Sequence, residues 1–204
     1  MTTSVAIIED DEAVLHSLKL LLDARGLDVR CYGSAEAFLA DLVEETPNCV
    51  VSDVRMPGLS GIELQRELRQ RGLSMPVILI TGHGDIAMAV AAMKEGAADF
   101  IEKPFDDERL VESLTKALAS EEAQRSEAAL RLDLAQRAAE LSPRQREVML
   151  LVVEGLSNKE IALRLGISPR TVENYRAWVM ERMGASSLAD LVRMVLTLES
   201  RVQK

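Results

Sequence analysis

Four groups of reactive side chains recur at intervals in the first half of this 204-residue chain. Glu9-Asp10-Asp11-Glu12 follows an apolar run at 5–8, and Asp53 follows one at 49–51. Thr81 closes a run at 77–80, and Lys103 follows one at 99–101. Carboxylates brought together from the first two groups repel one another, which raises their pKa values. A divalent cation relieves that repulsion, and Mg²⁺ (or Mn²⁺) suits a site built of few carboxylates and water. With a hydroxyl at Thr81 and an ammonium at Lys103, the set is suited to phosphoryl transfer onto Asp53, giving an acyl phosphate. The cation and Lys103 would neutralise the equatorial oxygens, and Thr81 would donate to one of them. Taken singly, the residues have plainer readings. Asp11 or Glu12 serves as a helix cap, and a lone Asp53 after a strand is a turn residue. Their conjunction at successive strand ends favours the chemistry.

The elements that must position these groups are legible from two periodicities. Apolar runs at 5–8, 29–32, 49–51, 77–80 and 99–101 are strand-like, and helical spacing falls at roughly 12–25, 35–44, 60–71, 85–95 and 106–119. Buried strands alternating with amphipathic helices predict an α/β, doubly wound, five-stranded parallel sheet. Ligands of such sheets sit at the C-terminal strand ends, where the reactive groups fall.

Charge divides the chain. Residues 1–120 hold 11 Lys and Arg against 21 Asp and Glu, a net of −10, whereas 121–204 hold 13 against 12, a net of +1. This predicts two domains with different partners. Residues 120–140 lack Gly and Pro and are rich in helix formers, which predicts a helical linker; the Leu130, Leu132, Leu134 and Leu141 spacing is not a clean heptad. From 141 onward every periodic segment is helical. Ser142-Pro143 with Gln145 opens the first helix, which runs to about Glu154, and Gly155 stops it. Ser157 or Asn158 caps a second, 159–165; Ser168-Pro169 opens a third ending at Gly184; Ser186 or Ser187 caps a fourth, to about Glu199. The Gly166-Ile167-Ser168 turn predicts a helix-turn-helix. The expected domains are 1–119, a linker at 120–140, and a small all-α four-helix domain at 141–204.

The third helix presents Arg170, Thr171, Glu173, Asn174, Arg176 and Ala177 away from its packing face, and its first turns can enter a major groove; the plainer reading is an αα-hairpin with no DNA role. Lys159, Arg170 and Arg176 are phosphate candidates; Thr171, Glu173 and Asn174 are base-edge candidates, with Asn174 suited to adenine and Glu173 to cytosine. Glu173 could instead cap a helix or pair within the domain, and Trp178 could be core or an exposed contact. Residues 142–183 carry a net of only +2, so tight binding would need paired domains on a two-fold site.

The N-terminal motifs resemble the receiver domain of two-component response regulators. The resemblance rests on Ile7-Ile8-Glu9-Asp10-Asp11-Glu12, Ser52-Asp53-Val54-Arg55-Met56-Pro57-Gly58, Leu79-Ile80-Thr81-Gly82-His83-Gly84 and Asp99-Phe100-Ile101-Glu102-Lys103-Pro104-Phe105. It implies the strand order 2-1-3-4-5 and that Asp53 accepts phosphate from a sensor histidine kinase. It further implies that Asp10 and Asp53 ligate Mg²⁺ directly, with Glu9 acting through water and Arg55 through its carbonyl. Thr81 and Phe100 become the switch pair, and the Lys103-Pro104 bond is expected to be cis. By its position two residues beyond Thr81, at the pocket mouth, His83 is not expected to be a metal ligand or phospho-acceptor but could tune acyl-phosphate lifetime, while His16 is expected as an ordinary helix residue. Leu141-Ser142-Pro143-Arg144-Gln145-Arg146-Glu147-Val148, Gly155-Leu156-Ser157-Asn158-Lys159-Glu160-Ile161-Ala162 and Ser168-Pro169-Arg170-Thr171-Val172-Glu173 resemble a LuxR-type domain. The combination is similar to the FixJ-like regulators. It implies promoter DNA and RNA polymerase as partners, no enzymatic role, and a homodimer on phosphorylation through Val90, Met93, Lys94 and Ile101.

A haloacid-type aspartyl-phosphate phosphohydrolase would need a second Asp two residues after the nucleophile, where this chain has Arg55. An interaction module without DNA binding is disfavoured by the intact helix-turn-helix spacing. No apolar run approaches the roughly 18 residues of a membrane span, and the N-terminus lacks a signal-peptide pattern, predicting a cytoplasmic protein. Cys31 and Cys49 form no ligand or disulfide pattern and are expected as core residues.

Overall fold

The computed structural model describes residues 3–42, 46–82 and 86–199, which form two compact units divided between Gln124 and Arg125. In the first unit, β1 (Ser4–Ile8), β2 (Asp28–Tyr32), β3 (Cys49–Asp53), β4 (Val77–Thr81) and β5 (Asp99–Glu102) pair in parallel, in the order β2-β1-β3-β4-β5. Between them run α1 (Glu12–Asp23), α2 (Ala35–Asp41), α3 (Gly61–Gln70) and α4 (Ile86–Lys94), and α5 (Asp107–Ala139) follows. The fold class is the one the periodicity predicts.

Strand alternation divides the apolar residues between two cores. Ala6, Ile8, Val50, Val77 and Leu79 pack with Phe38, Leu64, Leu68 and Ala92 of α2, α3 and α4. Val5, Ile7, Val51, Ile78 and Ile80 pack with Leu18 and Leu22 of α1 and Leu110 and Leu114 of α5. Cys49 lies buried in the second core, as expected, and burial pushes its thiol up to about 12. Cys31 is half-buried at the margin of that core.

The parallel register brings every C-terminal strand end to one rim, since Ile8 pairs with Ser52, Asp53 with Ile80 and Thr81 with Glu102. Asp11 is the N-cap of α1 and accepts from the amides of Ala13 and Val14, so its plainer reading is the observed one.

The second unit comprises the end of α5 with α6 (Pro143–Val153), α7 (Asn158–Leu165), α8 (Pro169–Met183) and α9 (Leu188–Glu199). Ser142 with Gln145 and Ser157 with Glu160 form reciprocal capping boxes; Ser168 caps α8. Gly166 and Gly184, at φ 66° and 70°, end α7 and α8 in left-handed conformation, which glycine adopts without a β-carbon clash. Part of the segment expected as a linker joins this core. Leu134 is buried with Leu141, Val148, Ile161, Val172, Val179 and Leu191, while Leu130 and Leu132 are exposed. Arg137 Nη1 donates to the Met183 carbonyl at 3.0 Å, and Arg131 Nη2 to that of Leu198 at 2.9 Å.

Candidate functional site

At the rim of the sheet, Glu9 and Asp53 are buried beside Lys103. Lys103 Nζ donates to Glu9 Oε2 at 2.6 Å and to Asp53 Oδ1 at 2.8 Å. The other Asp53 oxygen, Oδ2, accepts from the Arg55 amide at 2.6 Å. Burial raises the Glu9 carboxyl above its ordinary value and outweighs the Lys103 contact that opposes it. Burial also pulls Lys103 down, but its bonds to Asp53 and Glu9 prevail and leave the ammonium raised. Thr81 is fully buried at the end of β4, and its carbonyl accepts from the Lys103 amide at 2.7 Å. The Lys103-Pro104 bond is cis, as expected.

The rim therefore unites Glu9, Asp53, Thr81 and Lys103. Asp10 is exposed beside them in sequence. Among the described residues, no three or more His, Cys, Asp or Glu side chains gather into a metal-binding cluster, and the Lys103 ammonium lies between Glu9 and Asp53. Phe100 is half-buried against the core formed with α2, α3 and α4. His83 lies outside the described residues, and His16 is exposed on α1.

Of the expected self-association residues, Val90, Met93 and Lys94 are exposed on α4. Ile101 is not. It is 3 % exposed and packs in the core formed with α1 and α5, because β5 alternation sends it to the face opposite Phe100.

In the second unit α7 and α8 form the expected helix-turn-helix. Lys159, Arg170, Glu173 and Asn174 are exposed. Glu173 neither caps a helix nor forms an ion pair among the described residues. Trp178 is 49 % exposed, edge-on to Tyr175 with ring centroids 5.7 Å apart, so it is a surface residue of α8. Two expected contacts are occupied within the domain. The Thr171 hydroxyl lies 2.7 Å from that of Ser168, in the N-cap, and Thr171 is half-buried. Arg176 is half-buried and its Nη1 donates to Asn158 Oδ1 at 2.9 Å, which ties α7 to α8.

Two other supports of the rim carry little local signal. Gly61 opens α3 against Asp53, where a β-carbon would collide with the Asp53 carbonyl and approach Ser52 Oγ to 2.9 Å. The loop 54–60 accepts a strap from α2, with the Leu59 amide donating to Glu36 Oε1 at 2.8 Å. Gly58 within that loop and Gly61 just after it are the trace of both in the sequence.

Residues 5–115 match the response regulator receiver domain, and residues 139–195 match the bacterial regulatory proteins of the luxR family. The chain is 52 % identical over 192 residues to the transcriptional regulatory protein FixJ of Azorhizobium caulinodans, covering 94 % of this chain and 91 % of the relative. It is 48 % identical over 198 residues to FixJ of Bradyrhizobium diazoefficiens, covering 96 % and 97 %. Among solved structures, full-length FixJ from B. japonicum aligns with a TM-score of 0.63 at 46 % identity, covering 98 % of this chain and 99 % of that one. Response regulator StyR aligns with a TM-score of 0.82 at 37 % identity, covering 96 % and 98 %. The chain belongs to the FixJ-like response regulators, which join a receiver domain to a LuxR-type DNA-binding domain. Its relatives are transcriptional regulators, and no described helix is long and apolar enough to cross a membrane.

Proposed function

We propose that Asp53 is the phospho-acceptor, that a sensor histidine kinase supplies the phosphoryl group, and that its transfer controls promoter binding by α7 and α8. The observation that carries this reading is the Asp53 carboxylate, buried at the C-terminal end of β3, with one oxygen on Lys103 and the other on the Arg55 amide. In the transfer, an Asp53 oxygen attacks phosphorus, the P–N bond to the kinase histidine breaks, and the electron pair leaves with the imidazole. Lys103, already against Asp53, takes up charge on the transferred group. Thr81 lies at the same rim to donate to one of its oxygens, and Phe100 follows that movement as the switch aromatic.

The donor set fits a divalent cation. Two buried carboxylates, Glu9 and Asp53, share one ammonium, and Asp10 adds a third carboxylate next to Glu9 in sequence. Asp10, Asp53 and the Arg55 carbonyl would hold Mg²⁺, with Glu9 acting through water. The ion would supply electrostatic stabilisation of the phosphoryl oxygens.

Phosphorylation would favour a homodimer through Val90, Met93 and Lys94. Two helix-turn-helix units on a two-fold site then supply the affinity that a weakly charged single unit lacks. Lys159 and Arg170 would meet phosphates, and Glu173 and Asn174 the base edges. We place the protein in the cytoplasm, working with RNA polymerase as a phospho-acceptor and not as an enzyme.

The test incubates wild type and Asp53→Asn with Mg²⁺ and acetyl phosphate. Mass is then read by light scattering, and affinity is read on an inverted-repeat DNA library. The expected result is dimerisation and tighter DNA binding in wild type alone. Identical behaviour of the two proteins would remove Asp53 from control of output.

A further inference from the structure

We propose that Glu36 is a positioning residue for the divalent-ion site, holding the loop that carries Arg55. The inference rests on the phospho-acceptor reading above and adds to it a residue on a different element.

The loop from β3 to α3 spans residues 54–60 and is fastened at both ends. At the start, the Val54 amide donates to the Ile80 carbonyl at 2.8 Å and the Arg55 amide to Asp53 Oδ2 at 2.6 Å. At the finish, the Gly61 amide donates to the Val54 carbonyl at 3.1 Å, and Ser60 with Glu63 forms a capping box. The tip, Pro57-Gly58-Leu59, is reached from elsewhere by Glu36. Its Oε1 accepts from the Leu59 amide at 2.8 Å, across 23 residues of sequence.

Two features make this a built contact. Gly58 has φ 79°, a conformation that favours glycine, and the turn it allows brings the tip against the Glu36 carboxylate. Glu36 also stands in the first turn of α2, where free amides and the helix dipole favour a negative charge. Its own amide, the Leu59 amide and the Ser34 hydroxyl all hold the carboxyl below its ordinary value. The strap is therefore a charge-assisted hydrogen bond from an anchored helix end. It limits where the loop can carry the Arg55 carbonyl, the one backbone ligand expected for the ion. Outer contacts that orient ligands in this way tune metal affinity.

The test measures Mg²⁺ affinity by calorimetry on the full chain, beside the rate of Asp53 phosphorylation by acetyl phosphate at saturating Mg²⁺. Glu36→Ala is expected to weaken Mg²⁺ binding by roughly tenfold, the lower end for outer contacts. The saturated rate should change by less than about twofold, since the strap acts on binding and not on transfer. Glu36→Gln keeps the acceptor oxygen and is expected to recover most of the affinity, and exchange of the Leu59 amide should quicken only in the alanine variant. Unchanged affinity in Glu36→Ala, a loss confined to the saturated rate, or no recovery in Glu36→Gln would each overturn the strap while leaving the phospho-acceptor reading intact. Wild type that neither binds Mg²⁺ nor is phosphorylated at Asp53 would overturn both.

Discussion

Lys103 Nζ sits 2.8 Å from Asp53 Oδ1, joining two residues 50 positions apart. The contact raises Lys103, so the folded state holds that proton more tightly than the unfolded chain. Its contribution to stability is complete below the ordinary 10.5 and is lost as pH rises through the higher folded value. The melting-temperature difference between wild type and Lys103→Met is therefore expected to be level through neutral pH, to change in alkaline solution as Lys103 loses its proton, and to change in acid as Glu9 and Asp53 gain theirs. The same variant should reduce Asp53 phosphorylation by about a hundredfold, the cost of losing one preorganised donor to a developing charge. A phosphate-affinity gel with acetyl phosphate as donor reads this.

Gly61 tests how closely α3 must approach the acceptor. Alanine is the better helix former, so propensity alone predicts a gain at this position. The β-carbon would instead strike the Asp53 carbonyl and crowd Ser52 Oγ, and backbone cannot give way as a flexible side chain can. Gly61→Ala is expected to cost about 1–3 kcal/mol, a typical overpacking penalty, and to lower phosphorylation together with the melting temperature. Calorimetry of the full chain measures the first effect.

The second unit holds one arginine, Arg176, tied to Asn158 and another, Arg170, exposed, and only the second is predicted to meet DNA. Asn158→Ala leaves the half-buried Arg176 guanidinium without its acceptor, and about 1.5–3 kcal/mol of domain stability should be lost. Arg170→Ala removes an exposed side chain. It should leave melting unchanged while lowering the salt slope of DNA binding by about one. Unfolding curves and affinities at several salt concentrations distinguish the two.

The Cys49 thiol, pushed up to about 12 by burial, should resist a disulfide reagent at pH 8 until the first unit unfolds. Cys31 is half-buried and less strongly raised, so it should react first. Timed thiol titration of wild type against Cys31→Ser checks the order.

The alternation of apolar runs and helical spacing carried the parallel sheet and the rim position of Glu9, Asp53, Thr81 and Lys103, and the receiver resemblance carried the strand order. The sheet and the rim follow from local periodicity and from the rule that parallel strands end on one side. Burial by a distant partner has no such local signature. Ile101 stands next to Phe100 in sequence yet faces the opposite core, because pairing with β4 sets which side each residue meets. Leu134 lies in a polar helical stretch and becomes core only where the packing of α6, α8 and α9 surrounds it.

Residue type alone marked Arg176 and Thr171 for DNA, and the folded domain engages Arg176 with Asn158 and Thr171 with Ser168. The sequence by itself determined the two domain types and the chemical inventory of the rim, since both depend on short motifs and strand ends. Only the tertiary structure decided which polar groups are already satisfied. Hydrogen bonds such as Glu36 to Leu59 form between elements whose separation in sequence says nothing of their distance in space.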